Sequence, residues 1–308
     1  MIHVVTVHWQ SAKWIDPQLS YLEENIDQPF RVYAALEGIA PEQWDRFHFA
    51  ADLQGTHPQK LNALAAIVVE RAAPDDILVF IDGDALPIRP IAAWMSRTLD
   101  DYPLVAVRRD ENLGDRQPHP CFSFTTCGLW KEIRGDWGKG GTWTNSLGDT
   151  VTDVGGNLLH RLDDRGIAWL PLLRTNTVDR HPLWFAVYGH RVYHHGAGFR
   201  SRQSRVDRYL AEETAAPKPT SATLEGLAVK VFRQPSLITT VRPHHVAALP
   251  VAARMSVVKQ RRRRRLRRLE QKFDGADPYE QALFERLSTD PDFYQEFDPT
   301  PPEPTPPA

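Results

Sequence analysis

The chain has 308 residues, of which 42% are hydrophobic and 25% charged, an ordinary globular composition that excludes wholesale disorder. It is long enough for one large α/β domain with an appendage, or for two small domains. The formal net charge of −2 conceals an asymmetry: eight of ten residues from Lys259 to Arg268 are cations, and removing them leaves −10 for the remainder, so a polyanion-binding reading rests on that run alone.

The first residues, Ile2–Val7, form a β-branched apolar run with no basic leader before it, and Leu61–Val69, the longest nearly unbroken apolar stretch, is about half of a membrane span. The expectation is a cytoplasmic protein without secretion or integral membrane residence. Asp16-Pro17 has the form of an N-cap and first helical position, opening a helix toward Asn25. Arg31–Leu36 reads as a second strand and Pro58–Ala72 as a helix, with Leu61, Leu64, Ala65 and Val68 at helical spacing. The five apolar residues Ile77–Ile81, bounded by acids, suit a central parallel strand covered on both faces. Pro90–Leu99 reads as a helix and Leu104–Val107 as a strand.

Beyond residue 110 the pattern loosens. Cys121–Thr126 reads as a strand, Gly128–Ile133 and Val154–Leu162 as helices, Ala168–Leu172 and Arg191–His194 as strands, and Pro278–Leu287 as a late helix. Cys121 and Cys127 on an extended segment lie roughly 20 Å apart, beyond disulfide reach, and read as two buried reduced thiols. Ala215–Thr223 reads as a linker, and the segment from Asp298 to Ala308 as a disordered proline-rich tail. The expected fold is α/β: a Rossmann-like domain with a mostly parallel central sheet flanked by helices, and a mainly helical or irregular C-terminal extension. Residues 1–200 form the main domain, with halves 1–110 and 111–200; 201–297 form the extension and 298–308 the tail.

The acids Asp82 and Asp84 flank Gly83 directly behind the buried strand, where open α/β sheets place their ligands. Two carboxylates at i and i+2 can share one hard divalent cation. The plainer reading is an exposed turn that caps the next helix.

The segment ILVFIDGDALPI resembles the DxD region of GT-A glycosyltransferases, with further landmarks in order over residues 1–200. The resemblance implies that Asp82 and Asp84 hold Mn2+ or Mg2+ against the diphosphate of a nucleotide-diphospho-sugar donor. HPQKLNALA resembles the helix that brings Lys60 and Asn62 toward the nucleotide. YHHGAGFR implies a third metal ligand, His195 with His194 in reserve, and Arg200 as a diphosphate contact. VTDVGGNLLHRL implies Asp153, at an expected helix N-cap, as an acceptor-side carboxylate and the general base of an inverting enzyme. The sequence lacks the ED signature of inverting members, so inverting and retaining outcomes both stay open.

The implied activity is a metal-dependent glycosyltransferase acting on a glycan, lipid or peptide acceptor in polysaccharide, glycolipid or other glycoconjugate synthesis. Trp137 and Trp143, in glycine-rich loops, offer either sugar-stacking faces or core packing; Trp130, Trp169 and Trp184 belong to the same aromatic-rich stretch. Glu37, after the second strand, is a candidate for the nucleoside side. The alternative is a non-catalytic polyanion-binding protein. Its Lys259–Arg268 run has three readings: a solvated helix, a peripheral contact with anionic membrane, or a nucleic-acid contact that no accompanying motif supports.

Overall fold

A computed structural model describes residues 1–112, 114–145, 150–176, 186–196, 276–295 and 298. The chain divides into two compact units, Met1–Ser201 with Glu285–Ala308, and Arg202–Phe284. Among the described residues the second unit contributes only the first part of the helix Ala276–Thr289.

The first unit is built on a seven-stranded sheet. Its strands are β1 (Ile2–Trp9), β2 (Phe30–Glu37), β3 (Phe49–Ala51), β4 (Ile77–Asp82), β6 (Leu104–Val107), β7 (His119–Thr126) and β10 (Leu170–Leu172), in the order β10-β6-β7-β4-β1-β2-β3. Only β7 runs against the others, pairing antiparallel with both β4 and β6. The remaining pairs are parallel, so the expected mostly parallel sheet is present and Ile77–Asp82 occupies its middle.

Both faces of that strand are buried, which explains its unbroken apolar sequence. Val79 and Ile81 pack on one side with Ile15, Leu19 and Leu22 of α1 (Ile15–Asn25) and Met95 of α3 (Ala92–Asp101). Leu78 and Phe80 face the other side. There they meet Leu61, Leu64 and Val68 of α2 (His57–Val69), Trp130 of α4 (Cys127–Glu132), and Leu158 and Leu162 of α5 (Gly156–Asp163). Each such aliphatic side chain contributes roughly 1.5–3 kcal/mol by burial, so the two cores hold the helices to the sheet.

Two expected helix starts are displaced. Trp14, not Asp16, caps α1, and Asp16 lies in its first turn, ion-paired with Arg46. Asp153 is not the cap of α5 either. That position belongs to Gly155, whose φ of +89° is left-handed and whose missing Cβ leaves room for Pro118 O.

A second, three-stranded antiparallel sheet joins β11 (Ala186–Tyr188), β12 (Val192–His194) and β5 (Ala85–Pro87). The short β8 (Trp143–Thr144) and β9 (Thr150–Val151) form a separate pair. Glu285–Asp298 returns to the first unit, a course that composition does not announce. Tyr21 Oη donates to Leu287 O at 3.0 Å, and Phe293 stands edge-on to Tyr193 at 4.9 Å. Cys121 and Cys127 are both free and buried. Arg200, Trp184, the linker, the Lys259–Arg268 run and the tail beyond Asp298 lie outside the described residues. Among the described residues no helix is long and apolar enough to cross a membrane.

Candidate metal and donor site

The site collects at the edge of the main sheet where β1, β2, β4 and β6 end. Asp82 is the last residue of β4, and Asp84 lies two residues on, before β5. Gly83 is required by packing: a Cβ there would stand 2.6 Å from Val7 O and 2.9 Å from His8 Nδ1. The close approach the glycine permits is therefore to β1.

The loop is braced by Gln18 of α1, which is fully buried. Its Nε2 donates to Asp82 O at 2.7 Å and Ala85 O at 3.1 Å, while its Oε1 accepts from Thr6 Oγ1 at 2.9 Å and faces His8 Nε2 at 3.1 Å. Since Gln18 presents its oxygen, His8 carries its proton on Nε2. Burial holds His8 at a pKa of about 4, so the ring is neutral at pH 7.

The third member of the cluster is His194. Strand β12 pairs antiparallel with β5, which sets His194 opposite Ala85. His194 Nε2 lies 3.4 Å from Asp84 Oδ1 and 3.6 Å from Asp82 Oδ2. One ligand atom from each residue falls within 4.8 Å of the others, a spacing that one cation can span. His195, named first from the sequence, is turned away. Successive residues of an extended segment point to opposite sides, and His195 Nδ1 meets Tyr193 Oη at 2.8 Å while its ring lies 4.6 Å from that of Trp14. Its backbone N–H donates to Asp84 O at 2.9 Å, so it positions the loop.

The donor set fits a hard or borderline divalent ion: two carboxylates and an imidazole. Asp82 Oδ1 is buried and accepts no hydrogen bond, although His57 Nε2 stands 3.2 Å away. Burial works against charge on His194, but the neighbouring Cys121 and Asp84 raise its pKa well above the ordinary imidazole value, while burial raises that of the Cys121 thiol.

Beside the cluster's sheet edge, Lys60 is buried and ion-paired with Glu37 at the end of β2. The Lys60 hydrogen bond, aided by Trp9, holds the Glu37 carboxyl below its usual range despite partial desolvation. Asn62 is committed elsewhere. Its Nδ2 donates to Asp136 Oδ1 at 2.6 Å and its Oδ1 accepts from Trp137 N at 3.0 Å. That locks the glycine-rich loop to α2 and leaves the expected nucleotide contact without support. Trp137 is core, packed 5.1 Å from Phe80 and 5.7 Å from Trp130.

Asp153 keeps a half-buried carboxylate. Its Oδ1 accepts from Val154 N at 2.9 Å, with Lys139 Nζ at 3.9 Å, and its Oδ2 lies 3.6 Å from Arg109 Nη2. Arg109 is buried and also pairs with Asp115 at 3.1 Å.

No motif marks Gln18, His57 or Arg109 as a site residue, and Cys121, expected as a buried reduced thiol, is one. A signal was present: His8 is the penultimate residue of β1, His57 opens α2, His119 opens the reversed β7 and His194 ends β12. In an α/β alternation these chain positions converge on one sheet edge.

A scan against protein-family models and a search of curated proteins return no match. The chain is similar to several solved structures. One is the galactosyltransferase LgtC in complex with donor and acceptor sugar analogs, at 11% identity and a TM-score of 0.35 over 54% of this chain and 72% of that one. Another is the glycosyltransferase GlyE of Streptococcus pneumoniae, at 14% identity and 0.33 over 43% of this chain, which spans only 36% of GlyE. A third is the mannosyltransferase PcManGT of Pyrobaculum calidifontis in complex with GDP-Man and Mn2+, at 13% identity and 0.43, covering 87% of this chain and 84% of that one.

Proposed function

We propose that the chain is a metal-dependent GT-A-type glycosyltransferase that moves a sugar from a nucleotide-diphosphate donor to an acceptor hydroxyl. The observation that carries this reading is the convergence of Asp82, Asp84 and His194 within 4.8 Å at the ligand-binding edge of the middle strand. These three residues would hold Mn2+ or Mg2+, which when bound offsets the charge of the departing nucleoside diphosphate. Gln18 and the His195 backbone fix the loop so that the carboxylates present their oxygens without rearrangement.

Lys60 and Glu37 form the wall on which the nucleoside end would rest, at the ends of α2 and β2. Asp153, half-buried beside Arg109, is the candidate base for the acceptor hydroxyl in an inverting reaction. The acceptor would be a component of a polysaccharide, glycolipid or other glycoconjugate.

The test is calorimetric titration of the purified chain with UDP-, GDP- and dTDP-sugars, with and without Mn2+, repeated on Asp84→Asn. Metal-dependent binding of one nucleotide class, lost in the variant, is the expected result. Absence of binding by every donor would overturn the reading.

A further inference from the structure

A cavity of about 470 Å³ lies beside α5, the β8 strand and the β6–β10 edge. Its walls include Arg108, Arg116, Trp143, Trp169 and Asp163, with the Thr142 and Thr144 segment between. We propose that this groove binds a saccharide and is the acceptor end of the active site. Its acceptor role rests on the transferase reading above.

The chemistry of the walls suits a sugar, which offers apolar C–H faces and a rim of hydroxyls. Trp169, half-buried, supplies an indole surface of the amphipathic kind that matches those faces, and Trp143 lines the wall beside it. Trp143 is nine-tenths buried and its Nε1–H donates no hydrogen bond. Arg108 is held rigid by a two-pronged bond to Asp110, at 2.7 and 3.1 Å, and so presents its remaining donors in a fixed direction. Arg116 is exposed, and among the described residues no carboxylate pairs with it. Asp163 adds a carboxylate acceptor to the same lining. An arginine fork and a carboxylate lining one groove can hold hydroxyls as donor and acceptor.

The groove's place in the fold explains why it would hold the acceptor. β6 and β4 run in the same direction with β7 between them, so Arg108 just after β6 and Asp82 at the end of β4 share one sheet edge. Two strand spacings separate them, on the order of 10 Å across the sheet. The next residue, Arg109, reaches Asp153 at 3.6 Å. Consecutive residues thus line the groove and contact the candidate base.

The test uses the full chain without any donor. Maltose, lactose, chitobiose and methyl glucuronide are titrated separately, followed by tryptophan fluorescence and saturation-transfer NMR. At least one is expected to bind, with Arg116→Gln weakening it about tenfold, the loss of one charge-assisted hydrogen bond. Trp169→Leu removes the half-buried indole face and should weaken binding in the same sense. Both variants should keep Mn2+-dependent nucleotide-sugar binding. No saccharide binding, binding unchanged in both variants, or competition between saccharide and nucleotide-sugar for one site would overturn the proposal. Saccharide binding without any nucleotide-sugar binding would support the groove as a sugar site and overturn the transferase reading alone.

Discussion

Asp84 and His194 lie 3.4 Å apart because the strand after the acidic loop pairs antiparallel with the strand that ends at His194. The register puts Ala85 opposite His194, so a slip by one residue would set Tyr193 or His195 in its place. Two exchangeable-looking histidines are thereby given different work.

Mutation of the pair should separate those roles. His194→Ala is expected to weaken Mn2+ binding by at least about tenfold with little loss of stability, since a ligand is removed from a polar cluster. His195→Ala should instead lower stability through its lost contacts with Tyr193 and Trp14, and leave metal affinity closer to that of the parent. Mn2+ titration followed by electron paramagnetic resonance, alongside urea unfolding, reads both effects. Equal loss of metal binding in the two variants would contradict the assignment.

Gln18 is expected to be the most sensitive residue outside the cluster. Gln18→Leu strands the carbonyls of Asp82 and Ala85 and two donors on β1, at about 1–3 kcal/mol for each group left unpaired. Chemical denaturation should register a loss of several kcal/mol after local relaxation, and metal affinity should fall with it. A variant as stable as the parent would show that the loop is braced by other contacts.

Gly83→Ala tests whether the glycine serves the backbone packing. The added methyl meets Val7 O and the His8 ring inside contact distance, so overpacking of roughly 1–3 kcal/mol is expected. The measurement is the urea midpoint, with Gly166→Ala unsuitable as a control because Gly166 itself has a left-handed φ of +63°.

Acid should weaken the α2–α5 lock. Asp136 accepts from Gly138 N, Asn62 and Asn157 and faces Arg161, and these partners hold its carboxyl below the usual range although burial opposes them. A depressed folded-state pKa stabilises the fold above the unfolded value of 3.8, and that stability is lost as pH falls through the folded value. Asp136→Asn is expected to be less stable at pH 7, with the gap closing below about pH 4. Parallel unfolding curves from pH 7 to pH 2.5 would show it; a gap independent of pH would refute the account.

Much of the architecture is legible in the residues because burial on two faces leaves a strong mark. Ile77–Ile81 had to be covered on both sides, and Leu61, Leu64 and Val68 repeat at the helical period that covers one of them. The acids behind that strand follow from the same logic, since an open sheet binds ligands at the ends of its strands. The missed strands β3, β5, β8, β9 and β11 are two or three residues long, too short for any period to declare itself.

What the residues determined alone was therefore local and periodic: the strand–helix alternation, the buried middle strand and the Asp82-Gly83-Asp84 turn at its end. What only the tertiary structure decided was choice among equals. It selected His194 over His195 through the β5–β12 register, bound Asn62 to Asp136, drew Trp137 into the core and gave the α5 cap to Gly155. Each of those outcomes depends on a partner far away in the chain. Local propensity and spacing carry no information about which of two neighbouring side chains a distant strand will face, because that is settled by register and by the packing of the whole sheet.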